Sequence, residues 1–146
     1  MRSPFSVPRP LVFITAAVLL SVACSSSSSN GPSCGNGTPP SLSGSYSLLS
    51  YKAAGTVIPG ATGSLTLYPA TGGTGPYAAD LDLLNHTISD SGTYTVTGAS
   101  CIRQESSEGN GTTSGTFSLE ADTLTVTGTN SQAGGAVVVR WIPVIT

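Results

Sequence analysis

The chain has 146 residues, 8% of them charged, and a formal net charge of −2 at pH 7. Beyond residue 23 its cations are Lys52, Arg103 and Arg140 against seven acids, so the sequence offers no basic surface for nucleic acid. The part that follows residue 40, about 100 residues, is enough for one small domain with one hydrophobic core.

The first 23 residues have the pattern of a secretory signal. Arg2 and Arg9 precede an uncharged apolar run over residues 11–23. This run is too short for a membrane-spanning helix, which needs about 20 apolar residues. The small residue Ala23 then stands directly before Cys24 and a row of serines. The pattern predicts a signal peptide over residues 1–23 that is removed at Cys24.

The end of this segment, Leu20-Ser21-Val22-Ala23-Cys24, resembles the lipobox of bacterial lipoproteins. Ala23 and Cys24 match its last two positions, whereas Ser21 stands where the lipobox usually has leucine. The resemblance implies that Cys24 is lipidated and anchors the protein in the bacterial cell envelope, in the outer membrane if the cell has two membranes. Two or more acyl chains would anchor it stably. A free or disulfide-bonded Cys24 after an ordinary signal cut is the alternative.

Residues 24–40 are predicted to form a flexible tether. They consist almost entirely of serine, glycine, proline and other small polar residues, which bury too little apolar surface to order the chain. With Cys24 lipidated, Cys34 and Cys101 remain as a pair, and an oxidising compartment would allow a disulfide between them. Two unrelated thiols are the alternative.

From residue 41 to residue 146 the sequence predicts one β domain, because its apolar residues alternate with a period of two and no window has a helical period. The predicted strands cover residues 44–51, 56–58, 64–68, 77–84, 93–97, 100–104, 113–120, 123–127 and 136–142. Turn signals separate them, among them residues 72–75, 89–92, 108–111 and 134–135. This succession predicts a small antiparallel up-and-down barrel of about eight strands, with a β-sandwich as the alternative.

One face of the predicted strands supplies the interior of the barrel. Its predicted members, as core or as ligand-binding residues, are Tyr46, Leu65, Leu67, Leu81, Leu83, Tyr94, Val96, Phe117, Leu119, Leu124, Val126, Val139 and Trp141. An eight-stranded barrel is just wide enough to be filled by side chains or to hold one small ligand. The small number of aromatic residues favours a mostly filled barrel.

Residues 42–51 (LSGSYSLLSY), 89–98 (SDSGTYTVTG) and 115–127 (GTFSLEADTLTVT) resemble the opening strand and later hairpins of lipocalin-like domains. Tyr46 stands where that family carries the tryptophan of its Gly-x-Trp motif. Arg140 matches the arginine that packs over this aromatic side chain in lipocalins. The resemblance implies a barrel that binds a small apolar ligand or a lipid.

Candidate residues for chemistry are few. His86 is the only histidine and is expected in a solvated turn, so no metal site and no cofactor are predicted. Asp80 and Asp82 alternate with leucines about 6.6 Å apart along a strand, and a solvated strand face is favoured over a glycosidase pair. The sequence predicts a monomeric, non-enzymatic envelope protein that binds a small apolar ligand. A structural or protein-interaction module with a packed core is the alternative.

Overall fold

Nine antiparallel strands form the regular structure of residues 33–145, the part of the chain that the computed structural model describes. The predicted signal peptide, Cys24 and the first part of the predicted tether lie outside this part. The strands are β1 (Gly44–Ala53), β2 (Thr56–Val57), β3 (Thr62–Leu67), β4 (Thr74–Asp82), β5 (Thr87–Thr97), β6 (Cys101–Ser106), β7 (Thr112–Glu120), β8 (Thr123–Asn130) and β9 (Gly135–Pro143). Among the described residues, no helix is long and apolar enough to cross a membrane.

The sheet closes on itself into a barrel. From β3 to β9 each strand pairs with the next, and β1 pairs with both β3 and β9. The two-residue strand β2 pairs with the last residues of β1, beyond the reach of β3. The barrel therefore has eight strands, β1 and β3–β9, and closure leaves none of them as an open edge. The predicted all-β up-and-down barrel is confirmed, and the chain does not adopt the sandwich alternative.

Strand register determines which side chains fill the barrel. Residues directly opposite each other share a face, so Trp141 lies beside Leu48 of β1 and Leu124 of β8 on the inner surface. A bulge between Leu48 and Ser50 in β1 lets Tyr51 return to the inner face opposite Val139. The buried core consists of Leu42, Tyr46, Leu65, Leu67, Tyr77, Tyr94, Val96, Ile102, Phe117, Leu124, Val126 and Trp141.

Most of the predicted interior residues lie in this core or against it, Leu81 and Val139 being partly buried at its margin. Leu119 is a correction, because its side chain is 48% exposed. It shares a face with Leu124, but β6 begins at Cys101, opposite Thr116, so no strand covers Leu119 on that side. Leu83 is a second correction: it is only half-buried, in the turn after β4, and does not join the core.

The predicted turn at residues 89–92 is wrong. These residues lie within β5, and the chain reverses earlier, at residues 83–86, where the Leu83 N–H donates to the His86 carbonyl at 2.9 Å. Gly92 serves a different purpose from a turn glycine. A Cβ at this position would lie 1.9 Å from the carbonyl oxygen of Glu105, so only glycine permits the approach of β5 to β6.

Candidate functional site

The two ends of the barrel differ in what they contain. At the first end lie the start of β1, the β3–β4, β5–β6 and β7–β8 loops and the chain that enters from residue 33. We call this the closed end. At the second lie β2 and the β4–β5, β6–β7 and β8–β9 loops, and we call this the open end. Strands run between them in alternating directions, so each strand contributes side chains to both ends.

Apolar side chains fill the closed end. Leu42, just before β1, is 2% exposed and belongs to the core. The Tyr46 hydroxyl donates to the Leu42 carbonyl at 2.8 Å, and the Tyr94 hydroxyl donates to the Tyr68 carbonyl at 2.7 Å. Both phenols thus have a partner for the polar tip of an otherwise apolar ring. Burial raises the pKa of Tyr46 and Tyr94.

A disulfide fixes the incoming chain at the closed end. Cys34 is bonded to Cys101, the first residue of β6, across 67 residues of sequence. The Ser100 N–H donates to the Cys34 carbonyl at 3.0 Å. Gly98 has a φ of 58°, and a Cβ there would lie 2.6 Å from the Cys34 carbonyl oxygen, so a side chain would collide with the incoming segment.

A cavity of about 110 Å³ lies in the open half of the barrel. Strands β9, β1, β3 and β4 supply its apolar wall, which includes Tyr51, Leu65, Val137, Val139 and Trp141. Strands β5–β8 and the β6–β7 loop supply its polar wall, which includes Asp90, Gln104, Asn110, Thr113 and Asn130. The cavity is smaller than the site of a drug-sized ligand and larger than a single water needs. An apolar surface with a few convergent polar groups is the usual composition of a small-molecule site.

Asp90 is the centre of the polar wall. Its Oδ2 accepts a hydrogen bond from the Tyr77 hydroxyl at 2.6 Å. Its Oδ1 accepts from the Ser106 hydroxyl at 2.5 Å and from the Asn110 side-chain amide at 3.1 Å. Burial raises the pKa of Tyr77, and the hydrogen bond to Asp90 and the charge of that carboxylate raise it further. Neutral Tyr77 is therefore maintained as a donor to a carboxylate that forms part of the cavity wall.

Ser106, which donates to Asp90, and Asn130, which lines the polar wall, also fix the loops at the rim. The Ser106 hydroxyl oxygen accepts from the backbone N–H groups of Glu108 at 3.1 Å and Asn110 at 3.0 Å. The Asn130 side-chain amide donates to the Thr113 hydroxyl at 2.8 Å, and its oxygen accepts from the Gln132 N–H at 2.8 Å. The rim of the cavity is thus held in one arrangement by its own polar side chains.

The predicted candidates for chemistry lie away from this cavity. His86 is exposed in the turn between β4 and β5. Asp80 and Asp82 are exposed on the outer face of β4, where Asp80 accepts from the Ser89 hydroxyl at 2.6 Å. Within residues 33–145, no group of three or more His, Cys, Asp or Glu side chains is placed to hold a metal ion. Cys24 lies outside the described residues.

The predicted packing of Arg140 over Tyr46 is wrong. Arg140 is exposed on the outer face of β9, between the inward-facing residues Val139 and Trp141. Tyr46 points into the barrel and uses its hydroxyl on the Leu42 carbonyl. The wall of the barrel therefore separates the two side chains, and this part of the lipocalin resemblance does not hold.

Sequence reasoning missed the residues of the polar wall. Ile88, Asp90, Tyr94 and Val96 occupy alternate positions of β5 and face inward. That alternation was the available signal, because it places one acid among apolar residues. The interpretation of residues 89–92 as a turn removed Asp90 from the pattern.

Comparison with models of protein families and with curated proteins gives no match. Among solved structures, the chain is similar to a mutant of the fluorescent protein UnaG, at 11% sequence identity and a TM-score of 0.43. The similarity covers 72% of this chain and 97% of the UnaG chain. At this identity and TM-score, it says nothing about what the chain binds.

Proposed function

We propose that this protein is a bacterial lipoprotein, held in the cell envelope through Cys24, whose barrel binds a small molecule at its open end without catalysing a reaction. One observation carries the binding proposal: the open half of the barrel holds a cavity between inward-facing apolar and polar side chains, whereas buried apolar side chains occupy the inward positions of the closed half. The cavity of about 110 Å³ combines an apolar wall with a polar one.

The position of the cavity is compatible with lipid anchoring. The chain enters at the closed end, where Cys34 is bonded to Cys101. Nine residues lie between Cys24 and Cys34, so the ten Cα–Cα steps that join them reach roughly 36 Å at full extension. An anchor at Cys24 would therefore keep the closed end within roughly 36 Å of the membrane and would allow the open end to face the aqueous phase. On this proposal the ligand enters from the aqueous phase.

A second function is a monomeric surface module that interacts with other proteins. The observation that favours it is the filled half of the barrel, with Leu124 at 0% exposure and Leu67 at 1%. Several large apolar side chains are also exposed at the closed end, Tyr68 at 47% and Val144 at 46% among them. Such a module would need no cavity, and a ligand in the barrel would argue against it.

Native mass spectrometry distinguishes the two functions. The mature protein, released from membranes of a bacterial host and exchanged into volatile buffer, should carry a small non-covalent adduct that is lost on unfolding. A matched variant, Val137→Trp, should fill the cavity, because Val137 is 2% exposed and lines the apolar wall. The adduct should be absent from this variant. A bare mass for both proteins, in a host that supplies small metabolites, would favour the interaction module.

The anchor needs a separate test. Cys24→Ala should abolish incorporation of radiolabelled palmitate and should release the protein from the membrane fraction or leave it uncleaved. Cys34→Ala is the matched control, because it removes a cysteine only ten positions away. Palmitate labelling should persist in that control. Normal cleavage and membrane retention of the Cys24→Ala variant would contradict the lipid anchor.

A further inference from the structure

The charge in the cavity is unbalanced. Asp90 is the one ionisable acid on the polar wall, and within residues 33–145 no cation lines the cavity. The cations of the described chain are Lys52, Arg103 and Arg140, and all three are exposed on outer positions of their strands. Arg103 forms its ion pair on the surface, with Glu105 at 2.5 Å. Among the described residues, the carboxylate of Asp90 is therefore stabilised by hydrogen bonds and not by an opposite charge.

Asp90 also keeps one acceptor position for a ligand. An ionised carboxylate has about four lone-pair positions. Tyr77 uses one on Oδ2, and Ser106 and Asn110 use two on Oδ1. The remaining position is on Oδ2. A positively charged donor would gain both a hydrogen bond and the Coulomb attraction that the protein itself does not supply there.

Two further features of the cavity suit a ligand that carries N–H donor groups on an apolar body. The side-chain amide of Gln104 lines the cavity and makes no hydrogen bond to another described residue, so its oxygen can accept a second N–H. Trp141 and Tyr51 contribute aromatic surface to the opposite wall. Aromatic rings attract organic cations as well as apolar groups.

We infer that the open-end cavity binds a small organic ammonium ion, with its N–H groups on Asp90 and Gln104 and its apolar body against Trp141. This inference rests on the proposed function, which requires only that some small molecule binds. Size limits the body to about one ring, since an engineered cavity of about 150 Å³ in another protein takes up benzene. The cavity here, about 110 Å³, is open to solvent on one side and need not enclose the whole ligand.

Trp141 provides the measurement, because it is the only tryptophan of the chain and lies in the cavity wall. The mature chain without its lipid would be titrated with benzylamine, benzyl alcohol and benzoate at neutral pH. These three probes share one ring and differ in charge. Benzylamine should bind about tenfold more tightly than benzyl alcohol, because charge-assisted hydrogen bonds are roughly twice as strong as neutral ones. Benzoate should bind most weakly, since its charge is that of Asp90.

The variant Asp90→Asn tests whether Asp90 causes the preference for benzylamine. The variant should bind benzylamine and benzyl alcohol with similar affinity. Asp80→Asn is the matched control, because Asp80 loses the same charge on the outer face of the neighbouring strand. The control should keep the tenfold preference. If Asp90→Asn does not fold, the comparison of the three probes on the unaltered chain still decides the inference.

The possible results separate the two proposals. Equal affinity for benzylamine and benzyl alcohol would overturn the ammonium inference and leave small-molecule binding intact. A preference for the amine that survives in a folded Asp90→Asn variant would also overturn it. No change in Trp141 emission with any of the three probes at millimolar concentration would also overturn the ammonium inference, whereas the adduct seen by native mass spectrometry decides the proposed function itself.

Discussion

The same inward positions are occupied differently at the two ends of the barrel. Along β5, Tyr94 and Val96 fill the closed end, whereas Asp90 faces the cavity at the open end. Along β8, Leu124 is fully buried, whereas Asn130 lies at the open rim. Apolar burial contributes about 25 cal/mol per Å², and an inward polar group costs free energy unless it is hydrogen-bonded. The comparison suggests that stability is concentrated at the closed end and binding at the open end.

The largest expected effect comes from two leucines that face each other across β7 and β8. Leu124 is 0% exposed and Leu119 is 48% exposed. Leu124→Ala should lower the free energy of unfolding by about 2–5 kcal/mol, because it opens a hole in the closed end. Leu119→Ala should lower it by less than about 1 kcal/mol. Urea unfolding followed by Trp141 fluorescence measures both, and equal losses would contradict the burial that separates them.

Removal of the disulfide should have the next largest effect. The bond between Cys34 and Cys101 ties the incoming chain to β6. The double variant Cys34→Ser, Cys101→Ser should lose about 2–4 kcal/mol of unfolding free energy, chiefly through the entropy of its unfolded state. Its urea midpoint should not change with added reductant, whereas that of the parent should fall. Because the bond lies at the closed end, probe binding at the open end should be unchanged; a lost affinity would mean that the two ends are coupled.

Two tyrosines allow a direct comparison of the hydrogen bonds at the two ends. Tyr77 donates to the Asp90 carboxylate at the open end, and Tyr94 donates to the Tyr68 carbonyl at the closed end. Tyr77→Phe should lower the free energy of unfolding by about 1.5–3 kcal/mol, since the acceptor of its hydrogen bond is charged and lies partly buried. Tyr94→Phe should lower it by about 0.5–1.5 kcal/mol, since its acceptor is a neutral carbonyl. Urea midpoints would show the difference, and the reverse order would mean that solvent compensates Asp90 for the lost donor.

These differences explain which parts of the structure the sequence could predict. Alternation with period two predicted the strands and the barrel, because both ends depend on the same inward and outward positions. The pattern was sufficient for Leu65 and Val126, which are flanked by polar residues and lie in the core. It failed for Leu119, since exposure there depends on where the neighbouring strand begins.

The sequence pattern could not predict the cavity, and the reason is a different one. Its polar wall joins Asp90, Gln104 and Asn130, which lie on three strands and meet only through the barrel register. Gly92 also led to the wrong prediction of a turn. Sequence alone does not distinguish a glycine required by the close approach of two strands from a glycine in a turn. Local propensity cannot separate these cases. Strand pairing can separate them, because it shows which residue of the neighbouring strand lies opposite each glycine.

The smallest expected effect is a pH dependence in which the two ends differ. Burial raises the pKa of Tyr94 at the closed end, and burial together with Asp90 raises the pKa of Tyr77 at the open end. An acid whose pKa is higher in the folded than in the unfolded chain contributes stability below its unfolded pKa and loses it as the pH rises toward the folded value. The unfolded value for tyrosine is about 10. The free energy of unfolding should therefore fall above about pH 10, by at most about 1.4 kcal/mol per pH unit for each such tyrosine.

Tyr77→Phe should make this alkaline decline shallower over a wider pH range than Tyr94→Phe does. Burial, the hydrogen bond to Asp90 and the charge of Asp90 all raise the pKa of Tyr77, whereas only burial raises that of Tyr94. Asp90→Asn should have a related effect: Tyr77 would lose a charged neighbour and ionise at lower pH in the folded state. Urea unfolding of the three variants between about pH 9 and pH 12 measures these slopes. Identical slopes for Tyr77→Phe and Tyr94→Phe would mean that the carboxylate does not act on Tyr77. The pKa of Tyr77 would then give no information about the negative charge of Asp90 in the cavity.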